Sequence, residues 1–112
     1  MMRNLKDAVL LRAGMVSALF CLALLPISHD AVAGDVGNGS RLYGTFCVSC
    51  HGAGGKNVIP GAPSFARGEG LMKPDAILLA SIKTGRVTMP AFAGVLTDRE
   101  ILDLISYLRT LR

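Results

Sequence analysis

The chain has 112 residues, 51% of them apolar, 18% charged and 5% aromatic, with a formal net charge of +4. That length allows one domain at most. The apolar excess, against a usual charged share of about 25%, excludes a disordered polar chain, a coiled coil and a charge-rich nucleic-acid arm. Thirteen Gly and five Pro demand substantial loops, and three Cys are too few for a disulfide framework. A small, loop-rich core of this kind needs a staple of another sort.

The first third reads as a separate kind of segment. Arg3, Lys6 and Arg12 make a basic start, an uncharged run of 15 residues extends from Ala13 to Ile27 around Pro26, and Ala31-Val32-Ala33 precedes Gly34. This order is that of a secretory signal peptide over residues 1–33, cut after Ala33 to leave a domain of residues 34–112. An uncleaved membrane anchor is the competing reading, although a span takes about 20 residues. A lipoprotein start at Cys21 is disfavoured by the bulky Phe20 before it. Cleavage removes Cys21 and His29, leaving Cys47, Cys50 and a single histidine, His51. Nine Lys/Arg against six Asp/Glu then give net +3, with no basic run to track a nucleic-acid backbone. Export implies an oxidising compartment, where a free vicinal thiol pair is unusual.

Along the mature chain, Val36, Gly39, Tyr43 and Phe46 recur at helical spacing and predict a helix from about Asp35 to Cys50. Residues 51–63 are too rich in Gly and Pro for a regular element and read as a loop. Pro74 suits a first helical position and Asp75 the positive end of a helix. Ile77, Leu78, Ser81 and Ile82 continue that helix, and Gly85 stops it. Residues 86–96 are irregular. Thr97 and Glu100 form a capping box, followed by Ile101, Leu104, Ile105 and Leu108 in an amphipathic helix that ends in Arg109 and Arg112. The expectation is an all-α domain of about three main helices and two long loops, with no strand.

The motif that carries chemistry is Cys47-Val-Ser-Cys50-His51. Two thiols three residues apart on a helical turn can add to the two vinyl groups of one haem, and the next residue offers an imidazole to its iron. A thioredoxin-like reading wants a βαβ context, which is missing. A zinc reading wants three or four protein ligands, and no further Cys or His remains. A covalent haem also answers the need for a staple, since a flat apolar group supplies core and a reason to order the Gly-rich loop. For the opposite side of the iron the mature chain offers Met72 and Met89. Met72 has the reading of a gap-filling core residue. Met89 precedes Pro90, which stiffens the backbone beside the sulfur in the irregular segment. His/Met coordination raises the reduction potential.

Over residues 35–111 the chain resembles the class I monohaem c-type cytochromes of the small bacterial periplasmic kind. The likeness rests on several residues together. They are Gly39 and Tyr43 before the first Cys, the Cys47–His51 motif, Pro63 in Gly61-Ala-Pro63-Ser-Phe65, Met89-Pro90, and Leu104 with Tyr107 in the last helix. The resemblance implies a cytochrome c fold around one haem c, thioether links at Cys47 and Cys50, and His51 and Met89 as axial ligands. It further implies that the Pro63 carbonyl holds the imidazole N–H and that the last helix crosses the first at Gly39. Phe65, Tyr43, Arg86 and Pro90 are the remaining pocket candidates. The Trp that some relatives place beside a propionate has no counterpart here, and Arg86 and Thr88 are candidates for that role or for plain surface.

The expected function is electron transfer: a periplasmic, monomeric carrier that shuttles single electrons between redox enzymes, such as those of a respiratory chain. It is expected not to be an enzyme and to bind no nucleic acid. Two other readings stay open at this point. One is a haem-based ligand sensor or small peroxidase-like enzyme, which needs a labile sixth site, and the other is a cytochrome subunit anchored to a larger oxidoreductase. Lys56, Lys73, Lys83 and Arg86 are candidates for steering acidic partners, with ordinary surface charge as the alternative.

Overall fold

The computed structural model describes residues 33–112; residues 1–32, on which nearly all of the expected signal peptide falls, with Cys21 and His29, lie outside the described residues. Among the described residues four helices follow in order: α1 (Val36–Phe46), the single turn α2 (Val48–His51), α3 (Asp75–Thr84) and α4 (Asp98–Leu108). Short 3-10 turns form at Ala53–Gly55 and Phe65–Arg67. Among the described residues there is no strand, and two isolated bridges pair Arg86 with Met89 and Ala93 with Leu96. The all-α expectation holds. No described helix is long and apolar enough to cross a membrane.

α4 follows the sequence pattern closely. The Thr97 side chain accepts from the Glu100 N–H, and the Glu100 carboxylate accepts from the Thr97 N–H at 2.8 Å, so the capping box is complete. Behind it Ile101, Leu104, Ile105 and Leu108 are all buried. Each such side chain contributes about 2 kcal/mol by leaving water. Their main packing partner is α1.

α1 departs from its predicted stripe at both ends. Leu42 and Tyr43 are buried, whereas Val36 and Phe46 are largely exposed. Asp35 caps the helix by accepting from the Asn38 N–H at 3.0 Å. The predicted single helix through Cys50 is interrupted at Cys47, although the Cys47 N–H still reaches the Tyr43 carbonyl at 2.9 Å. Gly39 sits where α1 and α4 meet: a Cβ there would lie 2.9 Å from Tyr107 Cβ and still closer to the α4 backbone. Asp103 points into the same junction. Its carboxylate accepts from the Asp35 N–H and from Asn38 Nδ2, both at 2.8 Å, and pairs with Arg99 at 3.3 Å.

α3 begins one residue later than predicted. Pro74 has ψ 149° and precedes the helix as its cap, its carbonyl accepting from the Ile77 N–H at 3.0 Å. Gly85, at φ 70°, ends α3 as expected. Arg109, at the end of α4, donates to the carbonyls of Leu71 and Lys73 and pairs with Asp75. One guanidinium fork thereby ties the last helix to the approach to α3.

Candidate functional site

The chain folds back on itself immediately after the Cys47–His51 motif. Tyr43 Oη donates to the Gly52 carbonyl at 2.7 Å, pinning the end of α2 to α1. The Cys50 carbonyl accepts from the Val58 N–H at 2.9 Å, which returns the Gly-rich loop to the same place. Ser64, 1% exposed, is held by the Glu69 carboxylate on its N–H (2.7 Å) and donates through its hydroxyl to the Gly55 carbonyl (3.3 Å). Glu69 is in turn paired with Arg67. His51 Nδ1 lies 3.4 Å from the Pro63 carbonyl oxygen. Phe65 stacks on the imidazole, with ring centroids 4.5 Å apart.

These elements enclose a cavity of about 610 Å³. Cys47, Cys50, His51 and Met89 all line it. So do Pro63, Phe65, Arg86 and Pro90 from the remaining predicted set. Tyr43 does not reach the cavity and acts from behind, through Gly52 and through its edge contact to Phe65. Of the two candidate thioethers, Met72 is 82% exposed and lies off the cavity, so the core-filling reading of Met72 is not met. Met89 packs against the core and is fixed by backbone bonds to Arg86 in both directions. Among the four basic candidates, Lys73 and Arg86 border the cavity; Lys56 does not, and Lys83 pairs with Asp98 at 2.6 Å.

Much of the wall was missed from sequence. Phe46, Leu71 and Phe92 line the cavity as apolar faces. Phe46 and Phe92 meet edge to face at 6.0 Å. The exposed end of the α1 stripe is therefore a wall of the cavity. From α3, Leu78, Ser81 and Ile82 face it, while Ile77 of the same predicted stripe is exposed.

The protonation states follow from burial. Desolvation, with Cys50 adding to it, pushes the Cys47 thiol up to about 11, so it is neutral at physiological pH. Burial lowers the His51 pKa, partly countered by the Pro63 carbonyl. A carbonyl only accepts, so Nδ1 carries the proton and Nε2 keeps its lone pair free. Burial, with Cys47 and Tyr107 adding, raises the Tyr43 phenol to about 12 and keeps it a donor.

The residues suit a covalent haem. The cavity falls in the range of about 300–1,000 Å³ typical of ligand sites and is mostly apolar, as a flat macrocycle requires. Two thiols of the kind that add to haem vinyl groups open onto it, together with an imidazole and a thioether of the kind that ligate haem iron. Arg86, Thr88 and Lys73 are at hand for the acidic side groups. Among the described residues no group of three or more His, Cys, Asp or Glu is arranged to hold a metal ion unaided, which leaves the zinc reading without support.

Known proteins point the same way. The family model described as "Cytochrome C oxidase, cbb3-type, subunit III" matches residues 34–108. The cytochrome c6 of Gloeothece citriformis is 40% identical, with 81% of this chain and 86% of that protein covered. The cytochrome c6 of Thermosynechococcus vestitus is 33% identical, covering 82% of this chain and 84% of that one. The crystal structure of cytochrome c6 from the diatom Phaeodactylum tricornutum superposes with a TM-score of 0.59 at 32% identity, covering 69% of this chain and 93% of that one. The chain belongs to the class I monohaem c-type cytochromes, proteins that carry one covalent haem c and transfer electrons rather than catalyse a reaction.

Proposed function

We propose that Cys47 and Cys50 hold the haem by thioether bonds, that His51 and Met89 are the axial ligands, and that the protein carries electrons between redox proteins in the periplasm as a monomer. The observation that carries this reading is the placement of Met89. It lines the cavity with His51, whereas Met72, the other candidate, is exposed away from it. Each thioether forms by addition of an S–H across a vinyl group, with nothing released. The bound haem supplies a one-electron Fe(III)/Fe(II) couple.

The chain's residues do the rest. Pro63 takes the Nδ1 proton of His51 in a hydrogen bond and leaves Nε2 free to ligate. The Arg86–Met89 turn and Pro90 hold the thioether in place, so little rearrangement accompanies a change of charge. Leu78, Ile82, Phe92 and Leu104 give the cavity an apolar lining that would exclude water from the bound group. Lys73 and Arg86 are exposed at the edge of the cavity, where each can serve a propionate or face an acidic partner surface. Two propionates reduce the mature net charge from +3 to about +1, so steering is local. The 1–33 leader is taken as the export signal, cut after Ala33.

A redox-titrated absorption spectrum of the mature protein, with and without carbon monoxide, tests the reading. A sharp low-spin reduced spectrum, indifferent to carbon monoxide and with a positive midpoint, supports it. A spectrum that shifts with carbon monoxide means an open iron and moves the sensor or enzyme reading ahead. An intact mass beginning at Gly34 supports the leader cleavage.

A further inference from the structure

His51 is restrained in two independent ways. The Nδ1–H bond to Pro63 holds one edge of the ring and touches neither of its faces. Phe65 supplies the missing constraint. Its ring lies over the imidazole at a centroid separation of 4.5 Å and an interplanar angle of 21°. A face contact of this kind resists rotation of either plane.

Phe65 is itself buttressed by its neighbours. A Cβ on Gly55 would lie 2.8 Å from Phe65 Cβ and 2.9 Å from the Ala66 nitrogen, so the Gly-rich loop backs the residue directly. The preceding Ser64 is buried and bonded to both Glu69 and Gly55. On its other side the Phe65 ring meets the Tyr43 ring at 6.5 Å and 65°, an edge contact. Tyr43 is anchored by its own bond to Gly52. An aromatic held from three directions and laid flat on an imidazole is more than filler for the cavity wall.

We propose that Phe65 is a positioning residue for His51, setting the rotational orientation of the imidazole plane while Pro63 sets its direction. The proposal rests on His51 as an axial ligand. The orientation of an axial imidazole governs its π overlap with iron, so the role has a spectroscopic signature that simple packing lacks.

The test uses the mature, haem-loaded protein and its Phe65→Leu and Phe65→Tyr variants. Phe65→Leu keeps apolar bulk and removes the flat face. The expected result is a changed spread of the ferric haem-methyl proton resonances, a changed g anisotropy and a shifted midpoint potential. Phe65→Tyr keeps the face and is expected to restore all three towards wild type. Wild-type values in Phe65→Leu, or equal departures in both variants, overturn the proposal. If Phe65→Leu fails to accumulate, the ferrous wild-type protein decides. Nuclear Overhauser contacts between the Phe65 and His51 rings support the proposal, and their absence overturns it. Failure of the ligand reading itself is separable: the wild-type His51 ring protons then lack the hyperfine shifts of an iron-bound imidazole.

Discussion

Gly39 on α1 faces the backbone carbonyl of Asp103 on α4, and a Cβ at Gly39 would stand 2.1 Å from that oxygen. The two helices are this close only because residue 39 has no side chain. Gly39→Ala places the new methyl against backbone, which cannot rotate away. The expected loss is about 3 kcal/mol, the upper range for overpacking. Denaturant unfolding of the haem-loaded variant checks this; an unchanged midpoint means the helices can part without cost.

Val87 presents the opposite situation. It has φ 40° and is fully exposed at the tip of the Arg86–Met89 turn. Positive φ costs a residue with a Cβ about 1–2 kcal/mol, and β-branching sharpens the strain. Val87→Gly removes that strain and gives up an exposed side chain at the edge of the cavity, against the larger entropy of an unfolded Gly. A net stabilisation of about 1 kcal/mol is expected, read as a rise in Tm of about 4 °C. A fall in Tm shows that the Val side chain holds the turn.

Asp103 ties stability to acid. The Asn38 side chain, then the Asp35 N–H and Arg99, hold its carboxyl below the usual range against the opposing effect of burial. A pKa depressed on folding contributes stability above the unfolded value of about 3.9, lost as pH falls through the folded value. Unfolding midpoints should therefore drop in the acid limb below about pH 4. Asp103→Asn should be less stable at pH 7, since its amide faces donors, and should show a shallower acid limb. Glu69 and Glu100, both held low by hydrogen bonds, leave some slope behind. Identical acid limbs in the two proteins count against Asp103.

Met89→His replaces the proposed thioether with a second imidazole. The midpoint potential should fall and the far-red Met–iron charge-transfer band should vanish from the oxidised spectrum. Retention of the band shows that Met89 is not bound to iron.

The sequence reveals α4 almost completely, because a capping box and four apolar residues at strict helical spacing admit one reading. α1 is legible in type but not in phase. Its glycines weaken the pattern, so the stripe from Val36 to Phe46 omits the buried Leu42 and includes Phe46, which lines the cavity. The motif residues are legible because their chemistry is local. Non-local pairs are not. Nothing local in the sequence singles out Asp103; its role depends on Asn38, 65 residues away, being brought beside it. Phe65 and His51 are separated by a loop whose path no periodicity describes. Met72 and Met89 both precede stiff segments, and only the tertiary fold separates an exposed sulfur from one on the cavity.

The cavity is built from two kinds of sequence neighbourhood. Cys47, Cys50 and His51 come from five consecutive residues, while Met89 joins them from 38 residues further on. A single helical turn can display the first three with little loop closure, and so before the rest of the chain has organised. Bringing Met89 to the same place requires α3 and the surrounding loops to settle first. On the ligation proposed above, chain connectivity implies an order of assembly: capture at Cys47–His51 is expected to be early and local, and closure by Met89 late and global. By the same asymmetry, partial unfolding is expected to release the Met89 side first and to leave a tethered group that the chain can close over again.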